Sequence, residues 1–423
     1  MKPIRPHNGF SLIELMIAMT LGVLVIFALT QLVARTTRSN TTQQSLQRLQ
    51  ENGRFAMSRI VGDLRMTGAQ YCATLANIAP VGRNNRHRAL MVYADGGMLY
   101  GFPTRAAIKG LQPVADAEPY PISTRFFMQG HECTTNSACV PALNVLGGAT
   151  PTPPAAGTAA GNRAAGADVL TVRYLAAPGV PIGADYAGGP AAIALNNTYT
   201  TNATAGTLAF VAGDLAMISD CNNAQVFEAA AAGVAITPND TTDDSPTAHN
   251  DISAFTRGAD SRVFNFTRNF ITSTYYLQIR NDSTTPGRRI SSLVRQVNGN
   301  AQIIADGVER LEFRYAIEDV NGQTRYLTAE QVQGMNTALC QPFPVGVRAM
   351  EPGCGWRSVV AIDVSLLMNS VDNNAPSETE RYSFTFDNQI EVAPPGTLPS
   401  GLPRGRLFRR EFRTTVTVRN FGI

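Results

Sequence analysis

From residue 10 to residue 34 the chain is apolar at almost every position. Glu14 is the only charge there, and Ser11, Thr20, Thr30 and Gln31 are the other polar side chains. A helix over this stretch is long enough to cross a hydrocarbon layer of about 30 Å. A polar interval follows at residues 39–44. Apolar residues then return at helical spacing: Leu46, Leu49, Ala56, Ile60 and Leu64, with Phe55, Met57 and Val61 widening the stripe. No proline falls between Ser11 and Gln70, Gly53 and Gly62 weaken a helix without breaking it, and Gly68 suits its end. The pattern predicts one helix over residues 11–67, roughly 85 Å long at about 1.5 Å per residue. Its first half is apolar on all sides and its second half is amphipathic.

Beyond the helix the period changes to two. Residues 168–174, 214–221, 224–228, 275–280, 292–297, 311–317, 358–368 and 414–420 read as strands, and Asn321-Gly322 as a turn after the sixth of them. Between them lie stretches rich in Ala, Gly, Pro, Thr and Asn at residues 147–166, 196–206 and 229–251. Such stretches bury little side-chain area and are expected as long surface loops. The expected fold class is α+β: a long N-terminal helix packed on an antiparallel β-rich globular body with long loops. The expected division is a leader at 1–9, a helix at 10–67 with halves at 10–34 and 35–67, and the body at 68–423.

Composition removes several functions. The net charge of +3 provides no global field for nucleic acid. Arg404, Arg406, Arg409, Arg410 and Arg413 crowd the C-terminus, where alternation with Leu407, Phe408 and Phe412 reads as a strand with a solvated basic face or a subunit contact rather than a nucleic-acid site. The acidic loop at 239–245 lacks the glycine and terminal glutamate of a calcium-binding EF-hand and reads as a solvated loop. Asp116/Glu118 and Glu309/Glu312 read as ordinary surface charge. The chain has no nucleophile elbow, zinc-protease helix, phosphate-binding loop or dinucleotide fingerprint. No cofactor, metal or catalytic residue is called for. Six cysteines, none in a C-x-x-C, suit disulfides in an exported chain. Short loops favour Cys133–Cys139 and Cys340–Cys354, leaving Cys72 for Cys221. Six cysteines allow 15 pairings, so this connectivity is one choice among several. Each bridge would add about 2–4 kcal/mol.

The start of the chain is more specific. A secretory leader places a short apolar run before its cleavage site; here a basic, proline-containing segment ends in Gly9 and the apolar run comes after it, as Phe10-Ser11-Leu12-Ile13-Glu14. Removing residues 1–9 takes Lys2 and Arg5 and leaves the apolar helix in place. A carboxylate within such a helix is expensive unless it has a partner or a role. This segment resembles the cleavage and methylation signal of type IV prepilins. The resemblance implies cleavage by a prepilin peptidase between Gly9 and Phe10, methylation of the new Phe10 amine, and an assembly role for Glu14 against the N-terminal amine of a neighbouring subunit. Residues 50–56 (Gln-Glu-Asn-Gly-Arg-Phe-Ala) and 63–68 (Asp-Leu-Arg-Met-Thr-Gly) resemble the PilW family of minor pilins, as does the order of the strand at 169–174, the segment at 213–221, the strand at 307–315 and the final basic strand. The family resemblance covers roughly half the chain and implies a type IV pilin-like fold. It also implies a structural subunit of pilus assembly, acting in a priming or tip complex and not as an enzyme. Its partners would be other minor pilins, the major pilin, the prepilin peptidase, the inner-membrane assembly platform and a tip adhesin. Its place would be the bacterial inner membrane with the body in the periplasm, then the pilus. The alternatives are a J-type pseudopilin of type II secretion and a membrane-tethered adhesion or DNA-binding tip module.

Overall fold

A computed structural model describes residues 11–69, 90–92, 120–122, 127–133, 138–143, 153–176, 179–183, 192–195, 210–219, 224–229, 235–237, 261–340 and 354–419. One helix, α1 (Leu12–Met66), runs unbroken through both halves of the expected segment. It ends as the sequence suggests, because Gly68 takes φ +72°, a left-handed turn that costs glycine nothing. Its buried residues are Ser45, Leu49, Gly53, Ala56, Ile60, Asp63 and Leu64, a stripe confined to the second half.

Two sheets receive that stripe. The first contains β1 (Met128–Cys133), β2 (Cys139–Val140), β3 (Val169–Leu175), β4 (Phe270–Asn281), β5 (Arg289–Val297) and β6 (Asn300–Asp306), in the order β6-β5-β4-β3-β1-β2. The second contains β7 (Val308–Glu318), β8 (Thr324–Leu327), β9 (Val359–Asn369) and β10 (Arg409–Thr417), in the order β8-β7-β9-β10. All neighbours in both sheets are antiparallel. Alternation directs Val308, Leu311, Phe313, Tyr315 and Ile317 of β7 and Ile362, Val364, Leu366 and Met368 of β9 into one core with Leu49, Ala56, Ile60 and Leu64 of α1. The helix touches β6 and β3 of the first sheet and β9 and β10 of the second. At Gly53 the approach is close enough that a Cβ would run into the ring of Phe412.

A third sheet extends from the end of the helix. It orders Tyr120–Ile122, Leu90–Val92, Ala224–Glu228, Leu215–Ser219, Arg262–Asn265 and Val180–Pro181. Leu215, Met217 and Phe264 pack into the main core, whereas Ala216, Ile218 and Val263 face a second apolar cluster with Ile193 and Ile236. This sheet leaves the first between Leu175 and Phe270, which are paired, and the Leu175 backbone N–H donates to Ala69 just past α1.

Most expected strands are present, with altered ends. The last runs Arg409–Thr417 rather than over 414–420, and that at 275–280 is the middle of the longer β4. The expectation of a loose loop at 147–166 is corrected for its second part. Residues 161–164 run beside β4 beyond the reach of β3, with the Ala164 N–H donating to Leu277 and the Ile279 N–H to Asn162. Small side chains permit that approach, and Ala164 is fully buried. The loop at 196–206, most of 229–251, the acidic loop at 239–245 and the Asp116/Glu118 pair lie outside the described residues.

Candidate functional site

Among the described residues the first half of α1 is exposed at every position. Fifteen large apolar side chains from Leu12 to Val33 are each more than half exposed, Leu12 at 76% and Val33 at 63%. That band is far larger than a soluble surface tolerates, so lipid or other helices must cover it. It is the one helix among the described residues that is long and apolar enough to cross a membrane. Glu14 sits one turn inside it. Its Oε2 accepts the Ser11 backbone N–H at 3.1 Å, which satisfies an unpaired donor of the helix start. Gly9 and Phe10 lie outside the described residues.

The second half is bound to the body through a buried carboxylate. Asp63 accepts from Arg295 Nε at 2.6 Å and Nη2 at 2.9 Å, from Tyr275 Oη at 2.7 Å, from Ser273 Oγ at 2.7 Å and from Tyr174 Oη at 3.0 Å. One helix side chain thereby ties three adjacent strands, β3, β4 and β5. Burial pushes the Asp63 carboxyl up, but Arg295 and the hydroxyl donors outweigh it and hold the group below the usual carboxylate range. Burial and the facing carboxylate push Tyr174 to about 12 and keep its proton in place. Sequence reading did not single out this centre. A signal was present, since Asp63 falls on the buried stripe three residues after Ile60, where a carboxylate needs a cation.

Two bridges join Cys133 to Cys139 and Cys340 to Cys354. Cys72 and Cys221 lie outside the described residues. A buried aspartate supports the first bridge, with Asp168 accepting the backbone N–H groups of Cys133 at 3.3 Å and Phe313 at 3.0 Å and so stitching the two sheets. Its burial, with Glu312 nearby, raises its pKa well above the ordinary value.

The C-terminal arginines are not a free basic face. Arg409 is buried and donates to Glu309 at 2.7 Å, Arg413 pairs with Asp363 at 2.5 Å, Arg404 with Glu378 at 3.6 Å, and Arg406 Nε donates to the Ala375 carbonyl at 3.0 Å. Arg410 alone of the five is exposed without such a partner among the described residues. The reading of Glu309/Glu312 as surface charge is corrected too. Both are held under the strap between β9 and β10, Glu309 by Arg409 and Asn369, Glu312 by Arg310. The strap contributes Asp387 to Arg310 at 2.7 Å and lays the Phe384 ring 4.2 Å from the same guanidinium. Burial raises the Glu312 pKa to about 7 against the pull of Arg310.

Nothing in these clusters resembles a reaction centre. His131, the one histidine among the described residues, is buried, has its pKa pushed down by desolvation to about 4, and lies with Nδ1 2.7 Å from the Pro141 carbonyl oxygen, to which it donates when that nitrogen carries the proton. Among the described residues no group of three or more His, Cys, Asp or Glu could hold a metal ion.

Comparison with known families connects the two halves of the molecule. The model of the prokaryotic N-terminal methylation motif matches residues 4–30, and that of type IV pilus-assembly protein W, PilW, matches residues 274–420. Over residues 274–420, about a third of its length, the chain is similar to the PilW pilus-assembly proteins. The PilW match begins inside β4 and covers β5 to β10, so it includes the whole second sheet under α1, part of the first, and Arg295 of the Asp63 joint. The third sheet lies outside it. No curated protein and no solved structure gives a significant match. Both matched families are structural components of pilus assembly. The methylation motif and the uncovered helix fit a membrane-anchored pilin that meets other pilins and the assembly machinery.

Proposed function

We propose that the chain is a minor pilin that is cut after Gly9, methylated on Phe10 and built into a priming or tip complex through residues 10–34, and that it is not an enzyme. Before extraction it sits in the inner membrane with its body in the periplasm, and afterwards it resides in the pilus. Its partners are other minor pilins, the major pilin, the prepilin peptidase and the assembly platform, with a tip adhesin beyond. The observation that carries this reading is the exposed apolar band with Glu14 one turn inside it, behind Gly9-Phe10. In a filament core the band is covered by equivalent helices, and the carboxylate meets a neighbour's amine, a charge pair of substantial value away from water.

The test replaces Glu14 by Ala and, separately, Gly9 by Val. Masses of the purified chains and counts of surface filaments are the readouts. The Gly9→Val chain is expected to stay uncut, the Glu14→Ala chain to be cut normally, and both to lose filaments. Normal filaments on cells whose chain is never cut at residue 9 would overturn the reading.

A further inference from the structure

Within the strap, Tyr382–Phe384 pairs antiparallel with Gln389–Val392 as a two-stranded ribbon over the face of the second sheet opposite α1. The ribbon is firmly seated. Glu411 accepts the backbone N–H groups of Thr385 at 2.6 Å and Phe386 at 3.1 Å, and the Arg314 guanidinium lies 4.6 Å from the Phe386 ring. Among the described residues Gln389–Val392 pairs with no other strand, so the ribbon ends there on an open edge. Glu391 on that edge takes φ +53°, a left-handed conformation that a long side chain adopts at a cost. Beside it Ile390 is 75% exposed, more than any other large apolar side chain described outside α1. Next to this edge the strap and the sheet enclose a cavity of about 320 Å³. Leu367, Val392, Pro395 and Leu398 line it with the ring of Tyr382. The two charged residues in its lining are engaged inside the protein, Glu309 by Arg409 and Asn369, and Arg310 by Glu312 and Asp387. At the rim, Glu380 and Glu391 stand within two residues of the Tyr382↔Val392 pair, and no ion pair takes up either among the described residues.

We infer that the strap carries a docking site for a short extended segment of a partner protein, with one aliphatic side chain in the cavity and a Lys or Arg beside it facing Glu380 and Glu391. The site stands on the body alone and goes beyond the reading of the helix. Four features favour that occupant. An open strand edge offers backbone N–H and C=O groups to an added strand. A cavity with apolar walls and neutralised ions accepts an uncharged side chain and excludes a charged one. Acids at the rim select a cation next to that side chain, which fixes the direction of the segment. A ribbon already seated on the sheet loses little freedom when the segment docks. A sugar fits less well, because the side chains lining the cavity leave its hydroxyls little beyond the Gln389 amide and the Tyr382 hydroxyl. An anionic membrane fits less well, because the rim itself is acidic.

The test places a photo-crosslinking benzoylphenylalanine at Gln389 of the full-length chain, in cells that express it from its own locus. A second chain carries it at Asn321, an exposed turn position at the other end of β7. The Gln389 chain is expected to give a protein adduct whose crosslinked peptide contains an aliphatic residue next to Lys or Arg, and the Asn321 chain is expected to lack it. Ala393→Trp fills the mouth of the cavity from an exposed position. That change, and separately Glu380→Lys with Glu391→Lys, are each expected to cut the adduct at least tenfold while the processed mass of the chain stays the same. Absence of a Gln389 adduct, or an adduct with lipid or saccharide, would overturn the site. So would a protein adduct that maps to a segment without that residue pair, or one indifferent to either change.

Discussion

The two halves of α1 share one backbone and solve opposite problems. Residues 12–34 are apolar on every side and exposed throughout among the described residues, whereas residues 45–66 carry a buried stripe at helical spacing and are bound to two sheets. The first half obtains its free energy from whatever surrounds it, so its composition specifies an environment. The second obtains it from Leu49, Ala56, Ile60 and Leu64 and from a buried ion pair, so its composition specifies a partner surface within the molecule. Helix propensity is similar in both; what differs is the location of the complementary atoms.

That contrast is sharpest at Asp63. Asp63→Ala leaves the partly buried Arg295 and three buried hydroxyls without their carboxylate and should destabilise the body by about 2–4 kcal/mol, read as a lower urea midpoint in detergent with the membrane half still helical. An unchanged midpoint would mean that the joint contributes little. Gly53→Leu forces a side chain into the Phe412 ring and should cost about 1–3 kcal/mol, with the same readout. Next comes pH. Glu312 has a folded pKa of about 7, raised above its unfolded value, while Asp63 lies below its own. A raised carboxyl binds its proton more tightly when folded, so stability falls as pH rises from about 4.5 to 7 and then levels, by roughly 1–3 kcal/mol. Glu312→Gln should reduce that slope without abolishing it, because buried Asp168 and Glu309 are raised as well. The lowered Asp63 acts in the opposite sense: its contribution is full above the ordinary carboxylate range and is lost only as pH drops below about 4. The smallest effect is expected from Val25→Ala, which should move the body's midpoint by less than about 0.5 kcal/mol while reducing filament number. A large loss of body stability from that change would break the comparison, because it would show that the free half is not free.

Much of this was legible in the order of residues. The helix and its end at Gly68 follow from spacing and from the absence of proline, and β7 and β9 from alternation. What escaped depends on tertiary placement. Glu309 and Arg409 look like ordinary charges on alternating strands, and only a 39-residue strap folded over the sheet, residues 370–408, buries them. Arg163, between small residues in a low-complexity stretch, gave no hint that it would sit 2% exposed. The short strand Asn300–Asp306 begins in a polar Asn-Gly-Asn turn that hid its pairing. Asp63 could have been flagged by its place on the apolar stripe, but its five donors come from residues 174, 273, 275 and 295, and no local pattern connects those.

The strap also has a mechanical role. Where α1 departs from the body, Asn374 Nδ2 donates to the Thr41 carbonyl at 3.4 Å and Ser45 Oγ to Asp372 at 3.3 Å. Residues 372–374 directly follow β9, which lies in register with β10 from Asn369↔Arg409 to Ala361↔Thr417. Tension drawn along the stalk therefore enters the body next to the end of a central strand. A pull along that strand loads its cross-strand hydrogen bonds together, in shear, whereas a pull at a sheet edge would open them one at a time.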